Sequence, residues 1–269
     1  MSDITLRFAI EMVLVGVATG IISASLGLGG GIVMVPAFLQ FVPGIDVNTA
    51  KGSSLFIIIF VSALNAWQEK RRDPHSNWKL ALTLATWSVI GGYAGGWATG
   101  LMPNRVVAAI FVVFLLTTSV RTFLFKPGPK QKHNTRHAYL LGIAIGLATG
   151  IVSGATGTGG GAVLVPLVLM YGLVTNERAV ALSNTVMVAT SAAGALAHFM
   201  AMKTTTLAWT SGQLCFALAP LVFIGALAGS QLGLRVNRWL TLPRRRVVMG
   251  IMLFLVATRL VYEVIAPNS

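Results

Sequence analysis

Two glycine clusters are the residues best suited to chemistry in this chain: Gly27-Leu28-Gly29-Gly30-Gly31 and Gly157-Thr158-Gly159-Gly160-Gly161. Consecutive glycines weaken a helix, and irregular backbone at membrane depth is tolerated only inside protein or facing water. Each cluster precedes a short apolar stretch, beginning at Ile32 and at Ala162. Freed amides there would sit at a helix N-terminus, where the N–H groups and the helix dipole favour an anion. Two such turns could hold one anion between them. Close helix packing is the competing reading, since it also selects glycine. A dinucleotide or phosphate-loop reading fails, because no GxGxxG has strand context and no Lys-Ser or Lys-Thr follows the glycines.

Small polar residues lie near the start of the next apolar segment in each half. Ser53 and Ser54, and Ser183, Asn184 and Thr185, offer hydroxyl and amide donors that could complete an oxyanion shell without fixed charge. Helix capping or interhelical hydrogen bonding would use the same residues. At an offset of 131, Gly52-Ser53-Ser54 falls on Ser183-Asn184-Thr185. Lys51 and Arg178 start these segments and could attract anions at two entrances, or snorkel to the interface. Glu11 and His198 are ionisable groups within apolar runs and so are candidates for proton coupling. Glu11 could instead pair with Arg7, one helical turn away, and His198 could be a neutral packed side chain. Ser23 and Ser153 have no evident His partner, His75, His133 and His137 fall in predicted loops, and neither HExxH nor CxxC occurs. Cys215 stands alone and makes neither an intramolecular disulfide nor a metal site. No catalytic residue, metal or cofactor is therefore expected.

The elements that must position these residues are membrane helices. Hydrophobic residues form 55% of the 269 positions and charged residues only 10%, against about 25% charged in a soluble domain. Residues 80–104 and 204–234 carry no charge, and residues 106–120 are uncharged between two arginines. A spanning helix needs about 20 apolar residues, so the lipid bilayer is the expected surrounding. The net charge of +13 does not indicate nucleic acid, because the cations lie in short loops between apolar runs, where they orient a membrane protein. Glu11 interrupts the first run and argues against a signal peptide.

Residues 16–36, GVATGIISASLGLGGGIVMVP, align without gaps on residues 146–166, GLATGIVSGATGTGGGAVLVP, and match at 13 of 21 positions. The alignment divides the chain into a first transmembrane repeat, 1–129, and a second, 130–269, joined through the basic, proline-containing stretch 126–136. Each repeat is expected to hold a glycine-broken re-entrant or half-helix hairpin, the break falling mid-segment. Three spanning helices follow: 49–68, 80–101 and 106–125 in the first, and 179–202, 207–233 and 247–265 in the second. If the broken segment enters and leaves on one side, 15 of the 20 Lys and Arg fall on one face, which the positive-inside tendency makes cytoplasmic. The basic loop lies between segments two and three of the first repeat, but between three and four of the second, as inverted topology requires. The predicted fold is an all-α, multi-pass integral membrane protein of two homologous, inverted helical repeats.

The paired GxGGG turns, each followed by a short hydrophobic stretch and Pro36 or Pro166, resemble the TauE/SafE family of sulfite exporters. So does the Ser/Thr motif of the following segment, although Gly52-Ser53-Ser54 and Ser183-Asn184-Thr185 stand where members often have Gly-Thr-Ser. The resemblance implies a bacterial cytoplasmic-membrane transporter for sulfite, thiosulfate, sulfoacetate or related organosulfur anions, or small carboxylates. The expected activity is export of sulfite or an organosulfonate by a secondary carrier. An inside-negative membrane assists anion export by about 2.3 kcal/mol per charge at 100 mV. An anion channel, an uptake carrier for thiosulfate or a small carboxylate, and a subunit of a larger transporter stay open as alternatives, as does a homo-oligomer.

Overall fold

The computed structural model describes residues 2–72, 78–102, 104–124, 135–203, 207 and 209–265. His75, His133 and most of the 126–136 linker lie outside the described residues. The described chain forms ten helices: α1 Ser2–Leu26, α2 Gly31–Phe41, α3 Val47–Arg72, α4 Trp78–Gly100, α5 Asn104–Leu124, α6 Thr135–Thr156, α7 Gly161–Met170, α8 Asn176–Met200, α9 Leu218–Trp239 and α10 Leu242–Ile265. Five are long and apolar enough to cross a membrane: α1, α3, α6, α8 and α9.

Two expectations need correction. The glycine break does not fall in the middle of its segment. α1 holds 25 residues, about 37 Å at the helical rise, enough to cross a bilayer by itself. It ends where Gly27 takes φ +68°, and the 11-residue α2 then runs for only about 16 Å. Each glycine turn thus joins a long helix to a short one, α1 to α2 and α6 to α7. Residues 207–233 are also not one helix. Thr210–Ser211 (β1) and Leu214–Cys215 (β2) form a small antiparallel hairpin turning at Gly212. Only its second strand is buried, and helix resumes at Leu218, so the absence of charge spans two kinds of backbone.

α1 packs along α9, α6 packs along α4, and α5 packs against α10. The α1–α9 seam is glycine against backbone: a Cβ at Gly16, Gly225 or Gly229 would collide with the carbonyl of Val222, Val13 or Val17, respectively. The α4–α6 seam repeats this, with Gly95 facing the Ile151 carbonyl and Gly154 facing that of Gly92. Without a hydrophobic drive between helices in lipid, such close approach supplies the van der Waals contact that holds them together. α3 and α8 lie at the centre and run antiparallel, with Gly52 against His198 and Leu55 against Gly194. Asp46 starts α3 by accepting the Asn48 and Thr49 amides on Oδ1, at 2.9 and 3.1 Å, so the helix begins on a capped first turn.

Candidate functional site

The two glycine turns are buried and meet backbone to backbone beside α3 and α8. A Cβ at Gly31 would strike the Gly157 carbonyl, and one at Gly161 would strike the Gly27 carbonyl. Gly29 faces the Thr158 carbonyl in the same way, and Gly159 lies between Ile58 and Ser191. The turns differ at one position. Gly160 needs the left-handed region, with φ +89°, whereas Gly30 has φ −71° and is glycine because a Cβ would run into the Thr19 side chain.

One serine from each long central helix holds the opposite turn. Ser54 Oγ donates to the Gly157 carbonyl at 2.9 Å, and Ser183 Oγ donates to the Gly27 carbonyl at 2.7 Å. Likewise a Cβ at Gly157 would meet Lys51 and one at Gly27 would meet Val180, while Gly159 meets Ile58 and Gly29 meets Met187. The α3 and α8 members of these pairs correspond at an offset of 129, two residues short of the 131 read from sequence, while the glycines correspond at 130.

Among the described residues no acceptor takes a hydrogen bond from the amides of Leu28, Gly29, Gly30, Gly31 and Ile32, or from those of Thr158, Gly159, Gly160, Gly161 and Ala162. The hydroxyls of Thr19 and Thr149, of Ser62 and Ser191, and of Ser153 are likewise buried without a partner. The first four form two pairs, at offsets of 130 and 129. A buried donor left unsatisfied costs about 1–3 kcal/mol, so this concentration of donors favours binding an acceptor from outside the chain.

The other predicted residues have separate positions. Ser53 Oγ donates to the Thr49 carbonyl at 2.6 Å and accepts the Cys215 amide at 2.8 Å, which fastens the β-hairpin to α3. Asn184 accepts from Ser23 Oγ at 3.3 Å and donates to Glu69 Oε2 at 3.5 Å, while Asn65 Nδ2 donates to Ser23 Oγ at 3.1 Å. Thr185 Oγ1 donates to the Ala181 carbonyl at 2.9 Å, and Thr158 shares a 2.9 Å hydroxyl bond with Thr156. Glu11 pairs with Arg7 at 3.0 Å near the outer end of α1, about 24 Å along the helix from the turn. His198 is buried with Nδ1 2.7 Å from Gln213 Oε1 and Nε2 3.2 Å from the Gly154 carbonyl.

The two ends of the α3–α8 pair differ. At the C-terminal end of α3, a cavity of about 710 Å³ is lined by Glu69, Arg178, Thr185, Arg238 and Arg245, among others. Arg245 is buried and donates to the Ser25 carbonyl at 3.0 Å and to Asn237 Oδ1 at 2.6 Å. At the N-terminal end, about 25 Å away, the β-hairpin fills the space with buried Gln213, Leu214 and Cys215. Sequence reasoning missed Asn65, Glu69, Gln213 and Arg245. It placed Glu69 and Arg245 in loops because they are charged, although Asn65 and Glu69 stand four residues apart on one helix face. Among the described residues no group of His, Cys, Asp and Glu could hold a metal.

A family model described as sulfite exporter TauE/SafE matches residues 12–260. A "probable membrane transporter protein" of Methanocaldococcus jannaschii is 27% identical over 245 residues, covering 89% of this chain and 90% of that protein. The Bacillus subtilis "probable membrane transporter protein YunE" is 25% identical over 275 residues, covering 94% and 97%. The Arabidopsis thaliana "sulfite exporter TauE/SafE family protein 2" is 32% identical over 109 residues, 38% of this chain and 24% of that protein. No solved structure matches. A match over nearly the whole chain, on a membrane-helical fold with buried glycine turns, makes this a multi-pass membrane transporter rather than an enzyme, and the chain belongs to the TauE/SafE sulfite exporter family.

Proposed function

We propose that this protein is a secondary carrier that exports sulfite or a small organosulfonate such as sulfoacetate across a bacterial cytoplasmic membrane. The observation that carries the reading is the pair of glycine turns, whose amides and neighbouring hydroxyls lack acceptors at matched positions. An oxyanion lodged there would accept from Gly29, Gly30, Gly31, Gly159, Gly160 and Gly161, with Ser54 and Ser183 holding the turns in shape. Asn184 lies between this region and the cavity, through Ser23 and Glu69.

Inverted repeats, 1–129 and 130–269, supply the alternating access in this account. The exchanged serine bonds, the antiparallel α3 and α8 and the α1–α9 and α6–α4 seams support that arrangement. The cation-lined cavity is the cytoplasmic entrance, where arginines gather anions, and the β-hairpin closes the opposite side. Export down an inside-negative potential needs no coupling ion. Proton-coupled uptake, the alternative direction, would fall to Glu11 or to His198, and His198 is the one joined to the closing hairpin.

Thermal stabilisation of the purified protein by sulfite, sulfate, thiosulfate, sulfoacetate, taurine, acetate and chloride at matched ionic strength tests the site. Saturable stabilisation by a sulfur oxyanion or sulfonate, weakened in folded Ser191→Ala and Thr149→Val, is expected. Stabilisation that is undiminished in both variants would remove the turns from the binding site.

A further inference from the structure

Lys51 breaks the match between the two turns. It is only 2% exposed, so it does not snorkel, and its Nζ has no hydrogen-bond partner. Its stem lies on the second turn: a Cβ at Gly157 would meet Lys51 Cα at 2.7 Å, Cβ at 2.9 Å and Cγ at 3.0 Å. Three residues further along α3, Ser54 donates to the Gly157 carbonyl. The corresponding neighbour of the first turn is Val180. Asp46 and His198 lie within Coulombic reach of the ammonium, but neither bonds to it. The Asp46 carboxylate accepts from the Asn48 and Thr49 amides and from the Thr49 hydroxyl at 2.6 Å, and both His198 nitrogens face other partners. Burying an ammonium without a hydrogen-bonded counter-charge is costly, and the lone pairs it lacks are those of an anion.

We propose that Lys51 is a direct ligand of the transported anion and that it selects doubly charged substrates. The inference rests on the anion-site reading above and adds the charge class. Two helix N-termini contribute roughly half a positive charge each. On their own they match one negative charge, and Lys51 raises the sum to about two. The fitting substrate is a dianionic sulfur oxyanion or a short sulfonate bearing a second acidic group, one group on the turns and the other on the Lys51 side.

The test compares sulfoacetate with methanesulfonate, a dianion and a monoanion sharing the sulfonate group, by titrating thermal stabilisation at pH 6.5. Wild-type protein should bind sulfoacetate more tightly. Lys51→Gln should weaken sulfoacetate by about 30-fold or more, the scale for removing one member of a buried charge pair, and change methanesulfonate less than about threefold. Lys51→Arg should keep the dianion preference. Lys51→Met serves as the second neutral variant if Lys51→Gln does not fold. Equal losses for both anions, or no loss for either, in a neutral variant of a wild type that binds them overturns the inference alone. A wild type that binds neither anion overturns the anion site and the inference with it.

Discussion

Replacing Gln213 by Ala should unlock the hairpin side of the protein. Gln213 is buried, and its Oε1 meets His198 Nδ1 at 2.7 Å while its amide donates to the His198 carbonyl at 2.9 Å. Truncation leaves the backbone bond but removes the side-chain bond. The net loss is about 1 kcal/mol for the bond and about 1–3 kcal/mol for the unsatisfied imidazole nitrogen. Taking about 2 kcal/mol together, the hairpin's open fraction should rise by about 30-fold, since 1.4 kcal/mol is a factor of ten. The chain supplies its own reporter. Cys215 is the single cysteine, buried on strand β2, with its amide bonded to Ser53 Oγ. Maleimide labelling of Cys215 reads the open fraction when closing outpaces reaction. Gln213→Ala should label about 30-fold faster than wild type at unchanged helix content. An unchanged labelling rate in folded Gln213→Ala would refute the view that this bond holds the hairpin shut.

Other substitutions test the rest of the framework. Ser54→Ala and Ser183→Ala should each destabilise by about 1–2 kcal/mol and to a similar extent, because each orphans the buried carbonyl of one turn; denaturant midpoints check the parity. Arg245→Met should cost about 3 kcal/mol or more, since it removes two charge-assisted bonds, to Ser25 and Asn237, from a buried guanidinium, and the melting temperature reports it. Gly229→Leu, which drives a side chain into the Val17 carbonyl, should abolish folded protein in fluorescence size-exclusion chromatography. Gly44→Ala should cost only the strain of φ +77°, about 1 kcal/mol or slightly more, because nothing lies within 4 Å of the added methyl.

The glycine turns were legible because their residues recur without gaps and because few backbones other than glycine's can meet carbonyl to Cα. The helical class and most boundaries followed from apolar run length alone; the structure shifts the second segment from residues 49–68 to Val47–Arg72 and the eighth helix from 179–202 to Asn176–Met200. The register between α3 and α8 was not legible. Those helices share too few residues, and it is the Ser54 and Ser183 hydrogen bonds together with the contacts of the turn glycines that show Lys51 answering Val180 and Ile58 answering Met187. The hairpin escaped because lack of charge does not distinguish helical from extended backbone. Glu69 and Arg245 escaped for the converse reason. Charge marks a loop on average, yet both are buried, and Lys51, read as an entrance residue, is buried as well.

Counterflow in proteoliposomes tests the central claim most directly. Vesicles preloaded with unlabelled sulfoacetate or sulfite and diluted into trace labelled anion should accumulate label transiently, with saturable dependence on the internal anion, and Thr149→Val with Ser191→Ala should slow that exchange. A carrier with a defined anion site predicts this trans-stimulation. Labelled anion that simply equilibrates, at a rate indifferent to the internal anion and linear in concentration, would contradict the account and make the protein a channel.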